Sequence, residues 1–474
     1  MVYSFLNSEI ELFIFIYSFV LLAIYTLLSI FAVHKFIKYK RQSVLDDNYL
    51  ILNSPIQPSI SVIASAYNEA VSIIDCVGAL LRLEYDNYEV IVVNDGSVDE
   101  TLELLIKKYD MYKTDETVEK ELSFKDVRGV YRSRGKHWYS LMVIDKVNGG
   151  KADAINCGVS KASGEYIINI DVDSILIPDS LVKLILPVLK SDGKSEVIAV
   201  GAGIGVANNC VIDNGVIVSC RVPENTLLSI QVIEYARAFF LGRIGWSELN
   251  MLMIISGAIG LFRRDIVISI GGYNVSSIGE DMELIVRARR ILYDAKIDHR
   301  IEFVPDVLLW TEVPSSLRML YRQRVRWTKG LISSLLYNKK MFLNPRYGRI
   351  GMVAFPFWVF YEWFAPIMEL LGFIYFIVVF FTIGINWIFL IFLTVFIFLF
   401  GGVFSTVAIF MDQLAAHSYG KRSDLLKLIL RGLTEPFFYH VIITYSAIVG
   451  NIEYILGKRH NWGKMTRKGF SVKP

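Results

Sequence analysis

The 42-residue run from Leu370 to Met411 carries no charged side chain. A run of that length and composition fits two membrane-crossing helices of about 20 residues each, turned back at residues 382–386. A second uncharged run, Leu12 to Val33, fits one more span. His34, Lys35, Lys38, Lys40 and Arg41 follow it, and a basic flank on that side places the C-terminal end of the span in the cytosol. A secretory leader would carry its basic residues before the apolar run and a small-residue cleavage site after it, so an anchor is expected.

Two further apolar stretches are weaker. Residues 350–369 include Pro356, Glu362, Pro366 and Glu369, which suits an interfacial or broken helix. Residues 436–452 are preceded by Lys421, Arg422, Lys427 and Arg431 and followed by Lys458, Arg459, Lys464, Arg467 and Lys468. Basic flanks on both sides predict a surface helix and three spans in all. Membrane segments explain why 54% of the 474 residues are hydrophobic, too many for an ordinary soluble enzyme. The net charge of +3 offers no global field for nucleic acid. Cys76, Cys157, Cys210 and Cys220 show no metal-ligand spacing on a stretch that reads as cytosolic, so reduced thiols are expected.

Between the anchors, short β-rich runs alternate with helical ones. Strands are expected at 60–64, 89–93, 166–170 and 197–206, and helices at 70–82, 101–108 and 227–241. That alternation predicts a parallel sheet with its ligand loops at the strand C-termini. Residues 110–135 are charged and without clear period, which reads as an exposed excursion.

The loops at those strand ends carry the chemistry. Asp171-Val172-Asp173 sets two carboxylates at spacing i, i+2, suited to one hard cation. Gly149-Gly150-Lys151 lets the backbone approach an anion beside a positive charge. Gly279-Glu280-Asp281 opens a helix, and Gln323, Arg326 and Trp327 share one face of a basic amphipathic helix over 317–336 suited to the membrane surface. Taken singly, each has an ordinary reading as a turn, a solvated lysine, a cap or a wet face.

Taken in order, Ala66-Tyr67-Asn68-Glu69, Asn94-Asp95-Gly96-Ser97, Lys151, Asp171-Val172-Asp173, Gly279-Glu280-Asp281 and Gln323-Arg324-Val325-Arg326-Trp327 resemble the membrane-embedded family 2 glycosyltransferases. That family includes cellulose, hyaluronan and poly-N-acetylglucosamine synthases, and the resemblance covers roughly residues 58–470. The last motif looks like the Q-x-x-R-W signature of processive members.

The resemblance implies an α/β, Rossmann-like GT-A domain in the cytosol (58–312), set between an N-terminal anchor (1–41), a linker (42–57), interface helices (313–369), a membrane hairpin (370–411) and a basic C-terminal segment (412–474). Tyr67, Glu69 and Asp95 would hold the uracil and ribose of a UDP-sugar, and Lys151 its diphosphate. Asp173 with Asp171 would bind Mg2+ or Mn2+. Asp281 matches the catalytic base, with Gly279-Glu280 before it where related enzymes often have Thr-Glu. Gln323, Arg326 and Trp327 would line the acceptor site.

Residues 462–469 are similar to C-terminal gating segments, at a different spacing. The implied reaction is an inverting, processive polymerisation of a UDP-sugar, best matched by UDP-N-acetylglucosamine, into a β-linked polysaccharide at the plasma membrane. A β-glucan product and transfer to a lipid carrier are the alternatives. Three spans are few for a self-contained polysaccharide pore, so a second copy or an export partner is expected.

Overall fold

The computed structural model of the protein describes residues 2–458 apart from 46–56, 136–137, 139, 192, 194, 214–215, 383 and 417–421. Most of the expected 42–57 linker and the expected gating segment at 462–469 lie outside the described residues.

The strands are β1 (Ile60–Ala66), β2 (Tyr88–Asn94), β3 (Met111–Thr114), β4 (Val127–Ser133), β5 (Leu141–Lys146), β6 (Tyr166–Asp171), β7 (Ser174–Leu176), β8 (Glu196–Val206), β9 (Cys210–Asp213), β10 (Val216–Cys220), β11 (Ile259–Arg263) and β12 (His299–Thr311). Ten of them form one sheet in the order β3-β4-β5-β2-β1-β6-β11-β8-β12-β7. β1 runs parallel to both β2 and β6, and β2 parallel to β5. Their near-continuous apolar runs follow from burial on both faces, which strips a strand of the alternating pattern. β6 therefore ends at Asp171 among the neighbouring loops, as a doubly wound sheet requires.

Two expectations need correction. The sheet is mixed, because β11 runs antiparallel between β6 and β8, and strand-helix alternation in the sequence does not fix strand direction. The 110–135 stretch is no free excursion, since β3 and β4 form an antiparallel pair that extends the sheet beyond β5. One face of β4 is wet, so only Val130 along it is buried, and so sparse an apolar signal gives no readable period.

The cysteine expectation also fails in part. Cys210 and Cys220 sit opposite each other in the β9–β10 hairpin and form a disulfide. Strand register brings them together, which sequence spacing alone does not reveal. Cys76 and Cys157 are free and buried.

The principal helices are α1 (Val2–Leu45), α2 (Lys151–Lys161), α3 (Thr226–Ala236), α4 (Glu280–Asp294), α5 (Leu317–Tyr337), α6 (Ala365–Thr382), α7 (Trp387–Ala416) and α8 (Arg422–Ile455). Among the described residues three helices are long and apolar enough to cross a membrane, within α1, α6 and α7. Residues 350–363 are broken into wide turns on either side of Phe355–Phe357, as expected where Pro356 removes a ladder donor. The basic flank of α1 is docked rather than free: Lys35 pairs with Glu302 at 2.6 Å and Lys40 with Asp306 at 2.8 Å, both on β12.

β12 also carries His299, buried with its ring edge-on to Tyr293 and its Nδ1 2.9 Å from the Ile297 carbonyl. Burial, with the Arg289 charge adding to it, pushes the imidazole down to about 4. A folded-state value below the unfolded one gives stabilisation that is present above the unfolded value near 6.5 and is lost as pH falls toward 4, about 3 kcal/mol at most. The thermal midpoint is therefore expected to drop between pH 6.5 and 4.5, and His299→Phe to flatten that limb. Equal acid limbs in the two proteins would assign the loss to carboxylates.

Candidate active site

The site is built from two sheet-end loops and two helix starts. Asp95, at the end of β2, is buried, and both of its carboxylate oxygens are engaged. Oδ1 accepts from Lys146 Nζ at 2.7 Å and Gly149 N at 2.9 Å, and Oδ2 from Gly150 N at 2.8 Å and Asn148 Nδ2 at 3.2 Å. Lys146 also pairs with Asp153 on α2. Asp95 thereby pins the Gly149–Gly150 turn, where Gly150 takes φ 93°, and so aims the first residue of α2, Lys151. Its partners are the loop itself, although sequence resemblance assigns it to the nucleoside.

Lys151 reaches across to β6 and α4. Its Nζ lies 2.5 Å from Asp171 Oδ1, 3.7 Å from Glu280 Oε1 and 3.0 Å from the Gly257 carbonyl. Burial alone would lower its pKa, but Asp171 and Glu280 more than offset that and hold the ammonium above the ordinary lysine range. Burial raises the Glu280 carboxyl, with Asp281 adding to the rise and Lys151 and Arg326 opposing it.

Gly257 also donates its N–H to Asp281 Oδ2 at 3.1 Å, while Oδ1 accepts from Met282 N at 2.8 Å. A Cβ on Gly257 would stand 3.3 Å from Asp281 Oδ2 and 3.4 Å from Lys151 Nζ, so the absence of a side chain keeps this crossing open. Lys151, with Asp171 and Glu280 paired to it, and Asp281, separated by up to 130 residues in sequence, therefore meet at one glycine, Gly257.

Asp173 stands two residues beyond Asp171, its Oδ1 accepting from Ser174 Oγ at 3.1 Å. Among the described residues no group of three or more acidic, histidine or cysteine side chains forms a protein-only metal cage. Mg2+ is characteristically held by one or two carboxylates together with phosphate and water, and the Asp171 and Asp173 pair fits that pattern.

α5 is brought to the acidic group by a backbone contact. A Cβ on Gly330 would stand 3.0 Å from Gly279 Cα, and one on Gly279 would stand 3.0 Å from Gly330 Cα. The start of α4 and the middle of α5 thus touch directly, two residues from Asp281. The Arg326 charge opposes the burial-driven rise of the Glu280 carboxyl. Gln323 Oε1 is buried without a hydrogen-bond partner, and the Trp327 side chain is 42% exposed.

The surface-helix reading of α5 needs correction, because Arg324 and Lys329 are buried. Arg324 pairs with Glu234 at 2.6 Å, and Lys329 with Glu453 at 3.4 Å and the Lys458 carbonyl at 2.8 Å. Packing against α3 and α8 claims those charges, which helical periodicity counts as wet.

Tyr67 is 49% exposed above two laced loops. Asn68 N donates to Ser97 Oγ at 3.0 Å, Val98 N to Asn68 Oδ1 at 2.9 Å, and Glu69 accepts from Ser72 Oγ at 2.9 Å. Among the described residues no hydrogen bond or ion pair joins Tyr67, Gln323 or Trp327 to the acidic group.

Sequence reasoning passed over Arg243. Its guanidinium lies 4.1 Å from the Phe239 ring centroid and Nη1 is buried without a partner. Burial pulls it down to about 10 against the attraction of Asp281, so it remains a cation near Asp281 at neutral pH. Its only sequence signal is a charge interrupting the apolar run Phe239-Phe240-Leu241-Gly242-Arg243-Ile244-Gly245-Trp246.

Comparison with known proteins gives the family and the fold. Residues 61–210 match the model of Glycosyl transferase family 2, and residues 166–405, just over half the chain, that of Glycosyl transferase family group 2. The poly-beta-1,6-N-acetyl-D-glucosamine synthase of a Staphylococcus epidermidis strain is 29% identical over 271 residues, covering 57% of this chain and 54% of that protein. Its counterpart in a Staphylococcus aureus strain is 30% identical with the same coverage. The chain thus spans about half the length of the curated relatives it matches. A solved mannosyltransferase from Pyrobaculum calidifontis, in complex with GDP-Man and Mn2+, aligns with a TM-score of 0.50 at 15% identity over 91% of this chain and 100% of that one. That likeness is one of fold.

Proposed function

This chain belongs to the family 2 glycosyltransferases, and on that premise we propose that it polymerises a UDP-sugar into a β-linked polysaccharide at the membrane by inverting transfer, with UDP-N-acetylglucosamine as the favoured donor. The observation that carries this reading is the convergence of Lys151, Asp171, Glu280 and Asp281 beside the helix that bears Gln323, Arg326 and Trp327. The relatives named as poly-beta-1,6-N-acetyl-D-glucosamine synthases favour the donor and the β-linkage.

Departure of the diphosphate leaves positive charge at the anomeric carbon and negative charge on the leaving group. Mg2+ or Mn2+, held by Asp171 and Asp173, would supply charge for that leaving group. Lys151 adds a second cation from a fixed position, and fixed charge costs no reorganisation as the reaction proceeds. Asp281 takes the proton of the acceptor hydroxyl, its carboxylate held in orientation by the Gly257 and Met282 N–H groups. One base suffices for a single displacement, which inverts the anomeric centre.

Tyr67 and Glu69 offer a wall for the nucleoside beside Asp95, and Trp327 with Gln323 and Arg326 the acceptor end. The domain boundaries drawn from the sequence, a cytosolic catalytic domain on three spans in the plasma membrane, and a second copy or export partner belong to the same proposal.

Incubating the purified chain with a panel of UDP-sugars and Mg2+ or Mn2+, then digesting the product with linkage-specific glycosidases, tests it. A β-linked N-acetylglucosamine polymer is expected; turnover of no UDP-sugar would overturn the reading, and turnover of UDP-glucose alone would replace the donor. In the same assay Trp327→Ala is expected to cut elongation by about a hundredfold, on the scale of losing a stacked ring and its register, with UDP-sugar binding retained. Polymer of normal length from that variant would remove Trp327 from the acceptor site.

A further inference from the structure

One face of Trp327 is already committed inside the protein. The Arg324 guanidinium lies 4.1 Å from its ring centroid, within stacking distance for a cation and an indole. Arg324 is only 5% exposed and has little freedom. Its Nη2 donates to Glu234 Oε2 at 2.6 Å and lies 3.1 Å from the Tyr439 hydroxyl, which itself donates to the same Glu234 oxygen at 2.5 Å. Its Nε is buried with no hydrogen-bond partner. Glu234 belongs to α3, Arg324 to α5 and Tyr439 to α8, so three helices remote in sequence close on one carboxylate oxygen.

An arrangement selected for stability alone has a simpler solution. A buried ion pair is often replaced by apolar side chains at no cost in stability, and this one leaves a guanidinium nitrogen without a partner. What an apolar plug would not do is fix the plane of the neighbouring indole. A planar guanidinium held at Nη2 by Glu234 and Tyr439 offers a flat surface against the indole, and a flexible ammonium would not. Trp327 is nonetheless 42% exposed, so part of the ring is available to a ligand.

Building on the acceptor reading of Trp327, we propose that Glu234, Tyr439 and Arg324 are positioning residues: they lock the Trp327 ring as a platform so that the end of the acceptor sugar chain meets Asp281, and they tie that platform to α8. None of the three need touch the reacting atoms. Because Tyr439 sits on α8, displacement of that helix changes the register of the acceptor without altering the donor side.

The test uses the full chain in lipid nanodiscs. Arg324→Lys keeps the charge and loses the planar stack; Tyr439→Phe removes one hydroxyl. With UDP-N-acetylglucosamine, Mn2+ and a short β-linked N-acetylglucosamine oligosaccharide, both variants are expected to raise the KM for the oligosaccharide about tenfold, the scale of a lost cation–π contact, and to shorten the product. UDP release into water without acceptor should stay at the wild-type rate, as should the KM for donor. Fluorine NMR of 5-fluorotryptophan-labelled protein without substrate, with the Trp327 signal assigned by Trp327→Phe, should show that signal displaced in both variants. An unmoved signal would show that the clamp does not set the ring and would overturn the proposal, as would a moved signal with unchanged acceptor KM and product length. If the wild-type chain elongates no oligosaccharide, the proposed function fails first and takes this proposal with it. The two failures are told apart because the fluorine signal is read without any sugar.

Discussion

Replacement of Asp281 by asparagine is expected to lower sugar transfer by roughly a thousandfold, within the range attributed to a positioned general base. Asparagine nearly matches the shape and cannot accept the acceptor's proton. The local geometry adds a second effect. Both Asp281 oxygens face backbone donors, Gly257 N at 3.1 Å and Met282 N at 2.8 Å, and an amide has only one oxygen to offer. One N–H would then oppose another, so a thermal-shift measurement belongs beside the kinetic one. Calorimetric binding of UDP in the presence of Mn2+ should be retained, because Lys151, Asp171 and Asp173 are untouched. Transfer within tenfold of wild type would move the base elsewhere, and Glu280, whose carboxyl burial already raises, would be the next residue to substitute.

The second large effect is expected at a position with no chemistry of its own. Gly330→Val places a branched side chain where a Cβ alone would stand 3.0 Å from Gly279 Cα and 3.1 Å from its nitrogen. Backbone cannot rotate away as a side-chain tip would, so α5 and the start of α4 must separate. On the proposed roles of α5 and Asp281, a displacement near 1 Å between them is expected to cost about a hundredfold in rate, and overpacking of a tight seam roughly 1–3 kcal/mol of stability. The Gly330→Ala and Gly330→Val series should show kcat falling more steeply than the thermal midpoint. A valine variant with wild-type kcat would show that the seam does not set the catalytic geometry.

The elements that periodicity marks clearly are those whose burial is uniform. β1, β2 and β6 carry near-continuous apolar runs because both faces are covered, and α6 and α7 are marked by the uncharged run 370–411 that makes up most of them. Where burial is one-sided or supplied by a distant partner, sequence is silent. β3 and β4 sit on a wet sheet edge, and Arg324 and Lys329 look solvated until Glu234 and Glu453 arrive from other helices.

The candidate site divides in the same way. Residue types and order point to Lys151, Asp171, Asp173 and Asp281, since each taken singly is an ordinary turn or cap residue and only the series in order singles them out. Their mutual arrangement was not readable, because Gly257, through which Lys151 and Asp281 meet, is in sequence one small residue among several. Gly330 is likewise only a mild helix breaker until Gly279 is opposite it. The Cys210–Cys220 pair escaped because hairpin register, not spacing, brings the sulfurs together.

The docking of α1 on β12 has a mechanical meaning. Lys35 and Lys40 grip Glu302 and Asp306, and the Tyr39 hydroxyl adds a 3.0 Å bond to Asp306, so the first span is bolted to the sheet instead of tethering it. A span longer or shorter than the surrounding hydrocarbon answers by tilting. With α1 in a bilayer, a tilt of the helix would be a tilt of the sheet, and a change in bilayer thickness would be delivered as a force to β12, three strands along from β6.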